Sequence, residues 1–575
     1  MCGIFAILNS ETRFTKKFLE AQFAKGKPRG PENSIYTNVN VQAAFGFHRL
    51  AINGLNDKSN QPIRYNDISL ICNGEIYNYR ELYKHIGVKP TTDSDCEIII
   101  HLYLKYGIKY TLQLLDGVFA FVLMDARLNI PKHKMYVARD PYGVRPLFWL
   151  RQQDGVHAFA SELKSLSEIY NKIKTDLLNN DNISELTEEA AHDDSEMPML
   201  TPFKPGHIME FDLPWTVSAK WNILQNSRYH SIGCPSVLGS HFAEEEDEIT
   251  TKIQKYFSSA VFKRCCTTER PIACLLSGGL DSSLVAALVS DYHRITGLPQ
   301  IETYSIGLAG SEDLACARIV ADYIGSKHVE IVLTEQDFID AVPHVIRAIE
   351  SYDTTTVRAS IGNWILGKYI SEHSDAKVIF NGDGSDELCG GYLYMHKCPD
   401  SIEFDRESRR LLKDIHYFDV LRSDRSISSH GLEPRTPFLD RSWVQYYLSI
   451  HPELRFHPTH GKKEKYLLRL AFSAGSRDKD ILPLEILWRR KEAFSDGVSG
   501  GTRSLYQILQ EHAASLALGG SFENADYNSP KTAEQRWYRE IFEAEYPGLS
   551  HVIPYFWMPK YVEARDASAR TLSIY

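Results

Sequence analysis

The hydrophobic pattern of the 575-residue chain changes along its length and separates an N-terminal part from a C-terminal part. Within the first 165 residues, short apolar runs rich in β-branched residues alternate with turn residues, a pattern typical of strands. The predicted strands are Gly3–Leu8, Val41–Phe47, Ile68–Cys72, Phe119–Met124 and Met135–Ala138. A helical pattern occurs at Ser94–Tyr106. The N-terminal part is therefore predicted to consist mainly of β-sheet.

Beyond residue 270, apolar strands and helical patterns alternate. The predicted strands are Pro271–Leu276, Ile301–Ile306 and Val378–Asn381, and the predicted helices between them are Ser282–Val289 and Cys316–Ile324. Alternation of this kind predicts a parallel, doubly wound α/β sheet. The final third is predicted to be mainly helical, with helical patterns such as Lys463–Phe472 and Ser504–Leu516.

An acidic stretch lies between the two patterns. Eight acidic residues and no Lys or Arg occur from Asp176 to Glu196, which predicts a solvated loop at about 168–200. We therefore predict two domains: an α+β domain at 2–210, which carries this loop, and an α/β domain at 240–575 with a helical C-terminal part.

Composition excludes several classes of protein. The chain is 43% hydrophobic and 24% charged, as expected for packed domains, and its net charge of -10 argues against binding to a long nucleic acid. No run approaches the roughly 18 to 20 apolar residues of a membrane helix, and the N-terminus lacks the basic leader of a signal peptide. Ten irregularly spaced cysteines without a CxxC pair suggest neither a disulfide scaffold nor a zinc site. We expect a cytoplasmic protein with small-molecule partners.

Cys2 is the first residue with candidate chemistry. Removal of Met1 would leave a thiol and a free α-amine on one residue. Because the pKa of such an amine is about 8, it can accept the thiol proton directly or through water, as in N-terminal nucleophile enzymes. On its own, Cys2 could equally be a buried structural cysteine.

Other polar residues of the N-terminal part suit the same chemistry. Arg49 and Asp95 could bind the carboxylate and the ammonium of an amino acid. Asn73 offers a side-chain amide and Gly74 an unobstructed backbone N–H, which are the two kinds of donor that an oxyanion hole uses. Each residue alone could be structural, since Asn-Gly also marks a turn.

Together and in this order, these segments resemble the class II glutamine amidotransferase domain, which hydrolyses glutamine to glutamate and ammonia through a thioester on the N-terminal cysteine. The segments that carry the resemblance are Arg29–Glu32, Phe47–Ile52, Asn73–Asn78, Asp93–Asp95, Ala138–Leu147 and Ser161–Lys164. The resemblance implies the sandwich fold of N-terminal nucleophile amidotransferases, with Cys2 as the nucleophile. It places in the glutamine pocket Arg49, Leu50, Ala51, Ile52, Asn53, Asn73, Gly74, Glu75 and Asp95.

A second motif follows the strand Pro271–Leu276. Ser277–Ser283 reads Ser-Gly-Gly-Leu-Asp-Ser-Ser and leads into a helix. Glycines let the backbone wrap an anion, the hydroxyls add donors, and the helix dipole favours pyrophosphate at that end. The Lys of a Walker motif is absent. A second acidic loop, Asn381–Glu387, follows a later strand and would bring Asp386 close to Asp281.

The Ser277–Ser283 motif matches the PP-loop of ATP pyrophosphatases, and an amidotransferase followed by a PP-loop domain resembles the glutamine-hydrolysing asparagine synthetases. The resemblance implies ATP as a substrate, Mg²⁺ on Asp281 and Asp386, charge stabilisation by Lys465, and aspartate binding by Glu350–Ser360. The implied ATP-binding residues are Leu275, Ser277, Gly278, Gly279, Asp281, Ser282, Ile306, Asn381 and Gly382. Aspartate and ATP would form β-aspartyl-AMP, which ammonia would convert to asparagine. A homodimer is implied as well.

Two residues depart from the loop that is usual in this family, which reads Ser-Gly-Glu-Gly-Ser-Asp-Glu. Asn381 stands in place of the serine, and Asp383 in place of a glutamate associated with the adenylate intermediate. Asp383 keeps the carboxylate on a shorter side chain, so we expect a catalytic role with weakened activity. Two alternatives stay open: a related synthetase that adenylates another carboxylate, and a catalytically weakened binding homologue.

Overall fold

The computed structural model describes most of the chain and divides it into two compact units. The first unit comprises Met1–Ser231 with Phe542–Val552, and the second comprises Ile232–Ile541 with Ile553–Tyr575. The described residues are 1–10, 13–152, 155–179, 197–214, 219–233, 245–458, 461–473, 480–492, 497–498, 503–516, 518 and 527–572.

The first unit contains two antiparallel sheets of six strands each, in the orders β10-β8-β9-β1-β3-β2 and β12-β11-β7-β6-β5-β4. The strands are β1 Gly3–Leu8, β2 Asn33–Asn40, β3 Ala43–Arg49, β4 Ile63–Tyr65, β5 Ile68–Ile76, β6 Gly117–Asp125, β7 His133–Arg139, β8 Phe148–Arg151, β9 His157–Ala160, β10 Met199–Pro202, β11 His207–Leu213 and β12 Asn222–Arg228. The helices are α1 Lys16–Ala24, α2 Tyr79–Ile86, α3 Ile98–Leu114 and α4 Lys164–Leu178.

The two sheets pack face to face because alternate residues of each strand point to opposite sides. Ile4 and Phe45 of the first sheet share one apolar core with Val122 of the second. The neighbouring residue of β6, Phe121, packs on the other face against Ile99 of α3. A helical layer thus covers the second sheet, and the predicted N-terminal sandwich is confirmed.

The second unit is built on a five-stranded parallel sheet in the order β15-β14-β13-β16-β17. The strands are β13 Ile272–Leu275, β14 Glu302–Leu308, β15 Lys327–Leu333, β16 Val378–Phe380 and β17 Glu433–Arg435. The helices in this half of the chain are α5 Glu246–Cys265, α6 Leu280–Thr296, α7 Glu312–Ile324, α8 Glu335–Ile349, α9 Thr354–His373, α10 Ser385–Cys389, α11 Ser401–Asp414, α12 Asp419–Ser428, α13 Arg441–Ser449, α14 Pro452–Arg455, α15 Tyr466–Phe472, α16 Leu484–Leu487, α17 Leu505–Ser515 and α18 Ala533–Glu545.

The strand order positions the site of the second unit. The chain adds β14 and β15 on one side of β13, then returns to add β16 and β17 on the other side. Adjacent loops that leave in opposite directions open a crevice at the carboxyl ends of the strands, where ligands of doubly wound sheets bind. The predicted doubly wound sheet is confirmed.

The structure also corrects details of the sequence interpretation. Residues up to Leu178 of the predicted 168–200 loop belong to α4, because Ile169 and Ile173 recur at helical spacing and are buried. Residues 180–196 of that loop lie outside the described residues. No helix in the described part of the chain is long and apolar enough to cross a membrane.

Candidate active sites

A cavity of about 190 Å³ opens in the second unit at the carboxyl ends of β13, β14 and β16. The predicted ATP-binding residues that line it are Leu275, Ser277, Gly279, Asp281, Ser282, Ile306, Asn381 and Gly382. Gly278 does not line the cavity. Its φ is +72°, and a Cβ there would stand 2.5 Å from the backbone nitrogen of Ala317. Gly278 therefore allows the loop to lie directly against α7.

Hydroxyl groups close the loop between β13 and α6. The Ser277 N–H donates to Ser282 Oγ at 3.1 Å, and the two serine hydroxyls lie 3.0 Å apart. The Gly279 N–H donates to Ser277 Oγ at 3.4 Å. Because Gly279 is the N-cap of α6, these contacts fix the loop with the start of the helix beside the cavity. That arrangement suits a phosphate anion.

Four charged residues alternate in sign beside this loop. Lys465 Nζ lies 2.5 Å from Asp281 Oδ2 and 2.6 Å from Asp386 Oδ1. Lys491 Nζ lies 2.7 Å from Asp386 Oδ2 and 3.7 Å from Asp281 Oδ2. Burial alone would raise the pKa of Asp386, but the two lysines hold that pKa well below its ordinary range. Asp386 is thus held as an anion, and Asp281 lies beside the same two ammonium groups.

The backbone around this group leaves little room for change. Lys465 has a φ of +58°, an uncommon conformation for a residue other than glycine. A Cβ on Gly391 would stand 2.0 Å from Asp386 Oδ1 and 2.1 Å from Lys465 Cε, so only glycine fits there. A Cβ on Gly382 would stand 2.8 Å from the Cβ of Asp281. The two acidic loops therefore meet at Gly382.

Asp383 lines the same cavity, with its side chain 13% exposed. Its Oδ1 accepts a hydrogen bond of 2.8 Å from Arg422, which also donates to Asp419 at 2.9 Å. Burial raises the pKa of Asp383, and Arg422 opposes that rise. The carboxylate that replaces the usual glutamate is therefore ionically paired.

Residues 354–360 of the segment predicted to bind aspartate form the start of α9. Thr355 and Ala359 line the cavity. The buried guanidinium of Arg358 instead donates to Glu534 at 2.9 Å and to Asp566 at 2.7 and 2.9 Å. Arg358 thus attaches α9 to two distant segments of the chain.

Sequence reasoning missed the parts played by Arg422 and Lys491. Lys491 lies in a segment that resembles the family, but nothing in its spacing shows that it reaches Asp386. Arg422 lies on α12, 39 residues after Asp383. The sequence signal for Arg422 was an arginine on the buried face of an amphipathic helix. Such a pattern does not identify the residue with which the arginine pairs.

In the first unit, the half-buried Cys2 thiol lies 3.6 Å from the carbonyl oxygen of Leu50, toward which it donates. The Cys2 carbonyl accepts a hydrogen bond of 3.0 Å from Arg29 Nε. Arg29 is fully buried and lies 3.6 Å from Glu162. The start of β1 is therefore fixed by a buried arginine that the amidotransferase resemblance had left without a role.

The predicted oxyanion residues lie on β5. The fully buried Asn73 donates to Ser161 Oγ at 3.5 Å, and the same hydroxyl accepts from the backbone N–H of Ile4, two residues after Cys2. A Cβ on Gly74 would stand 2.4 Å from the carbonyl oxygen of Val118, so glycine is required between β5 and β6. Ser161 thus joins β5 to the strand that begins after Cys2.

The remaining predicted pocket residues form a connected set. Asn53 donates to Glu75 at 2.6 Å, and Asp95 accepts from the Ile76 N–H at 2.6 Å. Arg49 donates to the carbonyl oxygen of Asn56 at 3.0 Å and also to the Gly54 carbonyl. Ala51 N–H donates to Glu32 at 2.8 Å, and the side chain of Ile52 is buried. Arg49 therefore orders the loop that follows β3, and its predicted contact with a substrate carboxylate stays a prediction.

The donor set for a metal ion can be judged from the carboxylates alone. Among the described residues, no three or more His, Cys, Asp and Glu side chains form a ready metal site. Asp281 and Asp386 nevertheless approach one ammonium nitrogen, that of Lys465, so a single cation can contact both. Mg²⁺ commonly takes one or two protein carboxylates and completes its shell with phosphate and water. The pair therefore fits a Mg²⁺ ion that arrives with a nucleotide.

Comparisons with known proteins agree with this geometry. A glutamine amidotransferase domain family matches residues 1–221, and an asparagine synthase family matches residues 252–406 and 397–564. These matches define the class as an amidotransferase joined to a synthetase. The chain is 42% identical over 596 residues to asparagine synthetase [glutamine-hydrolyzing] of Gallus gallus and 41% identical over 598 residues to that of Homo sapiens, in each case over 100% of this chain and 99% of the relative. The chain belongs to the glutamine-hydrolysing asparagine synthetase family.

Proposed function

We propose that the protein is a ligase that makes L-asparagine from L-aspartate and ATP with ammonia released from L-glutamine. Aspartate reacts with ATP to give β-aspartyl-AMP and pyrophosphate, and ammonia then displaces AMP. The observation that carries this proposal is the cavity in which Asp281, Asp386, Lys465 and Lys491 meet a glycine loop at the start of a helix. Family membership supports the substrates.

The first unit supplies ammonia. After removal of Met1, the α-amine of Cys2 takes the proton of the Cys2 thiol, and the thiolate adds to the γ-amide carbon of glutamine. Asn73 and Gly74 stabilise the oxyanion, ammonia leaves with the transferred proton, and water then cleaves the thioester to give glutamate. Residues 49–53, Glu75 and Asp95 form the pocket that orients glutamine. The contact of Cys2 with Leu50 and that of Asn73 with Ser161 support this arrangement.

The second unit activates aspartate. A β-carboxylate oxygen attacks the α-phosphorus of ATP, the bond to pyrophosphate breaks, and AMP is joined to aspartate. Ser277, Gly279 and Ser282 bind the leaving phosphates, and Lys465 with Lys491 balances the charge that develops on them. Asp383, which lines the cavity and is held by Arg422, orients aspartate.

Asp281 and Asp386 would hold Mg²⁺ together with the nucleotide phosphates. When bound, the ion neutralises pyrophosphate as it leaves. Replacing either residue by asparagine should reduce pyrophosphate release on the order of a hundredfold with either nitrogen source, and glutamine hydrolysis should continue. Equal loss of both activities would argue against this metal site.

The domain boundaries 2–210 and 240–575, the homodimer and the cytoplasmic location are part of the same proposal. They rest on the resemblance of the chain to its family and on its composition. Light scattering of the purified chain tests the dimer, and limited proteolysis near residues 210–240 tests the boundary.

Product analysis tests the proposed function. The purified chain is incubated with ATP, Mg²⁺ and glutamine and with one carboxylic acid at a time: aspartate, glutamate, β-alanine or succinate. We expect asparagine, AMP, pyrophosphate and glutamate in equal amounts, and only in the incubation that contains aspartate. An amide of another acid would identify a related synthetase, and nucleotide binding without any amide would identify a weakened binding homologue.

A further inference from the structure

The lining of the synthetase cavity includes a buried amide that the proposed chemistry leaves unused. Leu275, Ile306 and Leu366 line the cavity, and all three side chains are buried. Asn363 lines the cavity one helical turn before Leu366 on α9 and is only 6% exposed. A buried amide therefore shares the cavity lining with apolar residues that suit the face of a purine ring.

Two polar groups of the cavity lining show the usual arrangement, in which a side chain has a partner within the chain. The Asn381 amide donates to Ser423 at 2.7 Å, and the Tyr304 hydroxyl donates to Glu302 at 2.8 Å. The described part of the chain offers no hydrogen-bond partner to the Asn363 side chain. Buried polar groups are almost always hydrogen-bonded, so this amide is available to a bound molecule.

The geometry of α9 directs this group toward the cavity. Ala359, Asn363 and Leu366 recur at i, i+4 and i+7, which places them on one face of the helix. All three line the cavity. Because Ala359 is small and Leu366 is apolar, the hydrogen-bonding group between them on this face of the helix is Asn363.

We propose that Asn363 reads the nucleobase of the nucleotide substrate, an inference that rests on the proposed function. A carboxamide donates through its NH₂ and accepts through its oxygen, which complements the N7 acceptor and the N6 amino donor of adenine. Guanine presents acceptors at both positions and leaves the amide oxygen facing another oxygen. Asn363 thus selects adenine over guanine, whereas Leu275 and Ile306 contact purine rings of either kind.

The test compares nucleotides in the parent chain and in Asn363→Leu, which keeps similar volume and lacks the amide. The nucleotides are ATP, 7-deaza-ATP, which lacks N7, purine riboside triphosphate, which lacks the amino group, and GTP. Pyrophosphate release is measured with saturating aspartate and ammonium. We expect the parent to prefer ATP over each analogue by about tenfold or more, the value of one net hydrogen bond. Asn363→Leu should lose about tenfold on ATP and treat ATP and the two adenine analogues alike.

Leu366→Ala is the matched control, because it removes apolar contact from the same wall and should weaken every nucleotide equally. The inference is wrong if Asn363→Leu keeps the parent's preference among nucleotides, or if its defect is confined to the KM for aspartate. Calorimetry of the same nucleotides binding to the parent and to Asn363→Leu compares their nucleotide preferences without turnover. A parent that binds ATP selectively through Asn363 but makes no asparagine would contradict the proposed function and leave the inference standing.

Discussion

Replacing Lys465 by methionine tests the charged group at the centre of the synthetase cavity. The change keeps an unbranched side chain and removes the ammonium shared by Asp281 and Asp386. Lys491 remains in contact with Asp386 at 2.7 Å, but it lies 3.7 Å from Asp281. Asp281 therefore loses most of the positive charge that faces its carboxyl group.

The structure sets the size of the effect. The Lys465 side chain is 1% exposed, and removing one partner of a buried ion pair typically costs about 3 to 5 kcal/mol. Because Lys491 compensates in part for the lost charge, we expect the unfolding free energy of the second unit to fall by about 3 kcal/mol. Pyrophosphate release should fall on the order of a hundredfold to a thousandfold, because the phosphates lose a preorganised positive charge.

A double-mutant cycle with Asp386→Asn provides the assay. Urea unfolding is followed by circular dichroism, and the transitions of the two units are fitted separately. Removing both charges leaves Asp281 beside Lys491. The loss of unfolding free energy in the double variant should therefore be smaller than the sum of the two single losses by about 1 to 3 kcal/mol. Additive losses would refute the reasoning that these residues form one coupled group. Unchanged glutamine hydrolysis in each variant controls for misfolding of the first unit.

Other expectations follow from single sites. Cys2→Ala should abolish asparagine formation from glutamine and spare formation from ammonium, and glutamine-dependent product in this variant would exclude Cys2 as the nucleophile. Asp383→Asn should strongly reduce pyrophosphate release while Asp383→Glu preserves or raises it, and equal turnover in parent and Asp383→Asn would remove residue 383 from catalysis. Gly278→Ala should cost the second unit about 1 to 3 kcal/mol in urea unfolding, because the new Cβ meets the backbone of α7 at 2.5 Å. Burial raises the pKa of Asp353 to about 6. The contribution of the protonated carboxyl to the unfolding free energy is therefore fully present below about pH 4 and is lost as the pH rises through about 6. Asp353→Asn should therefore flatten the fall in unfolding free energy between about pH 4 and pH 6, by up to about 3 kcal/mol.

Strong local patterns explain which elements could be predicted. Gly3–Leu8 is fully buried on both faces and reads as a continuous apolar run, and the observed strand has the predicted bounds. β15, at Lys327–Leu333, was missed because it is an edge strand in which Lys327 and Glu330 interrupt the apolar residues. α1 was missed because its mixed composition gives a weak amphipathic pattern, and only its buried contacts stabilise it.

The candidate sites show a similar division. Motifs identified Asp281 and Asp386 because each lies in a glycine loop after a strand, where the backbone itself forms the site. Lys491 and Arg422 come from elements whose approach depends on tertiary packing, and no local sequence pattern encodes that approach. Asn363 could not be predicted as a site residue for the same reason, because a single amide in a helix indicates a binding group only when the cavity beside it is known.

The attachment of α9 through Arg358 also has a consequence for protein synthesis. Glu534 and Asp566 lie 176 and 208 residues after Arg358, so a ribosome that has just completed α9 has yet to make either partner. Until then the guanidinium would be buried without a counterion, which costs several kcal/mol, and α9 cannot pack stably. Contacts this distant in sequence also slow folding. The wall that carries Asn363 is therefore completed late, and a nascent chain that stalls before residue 534 should depend on chaperones and be cleared by proteases.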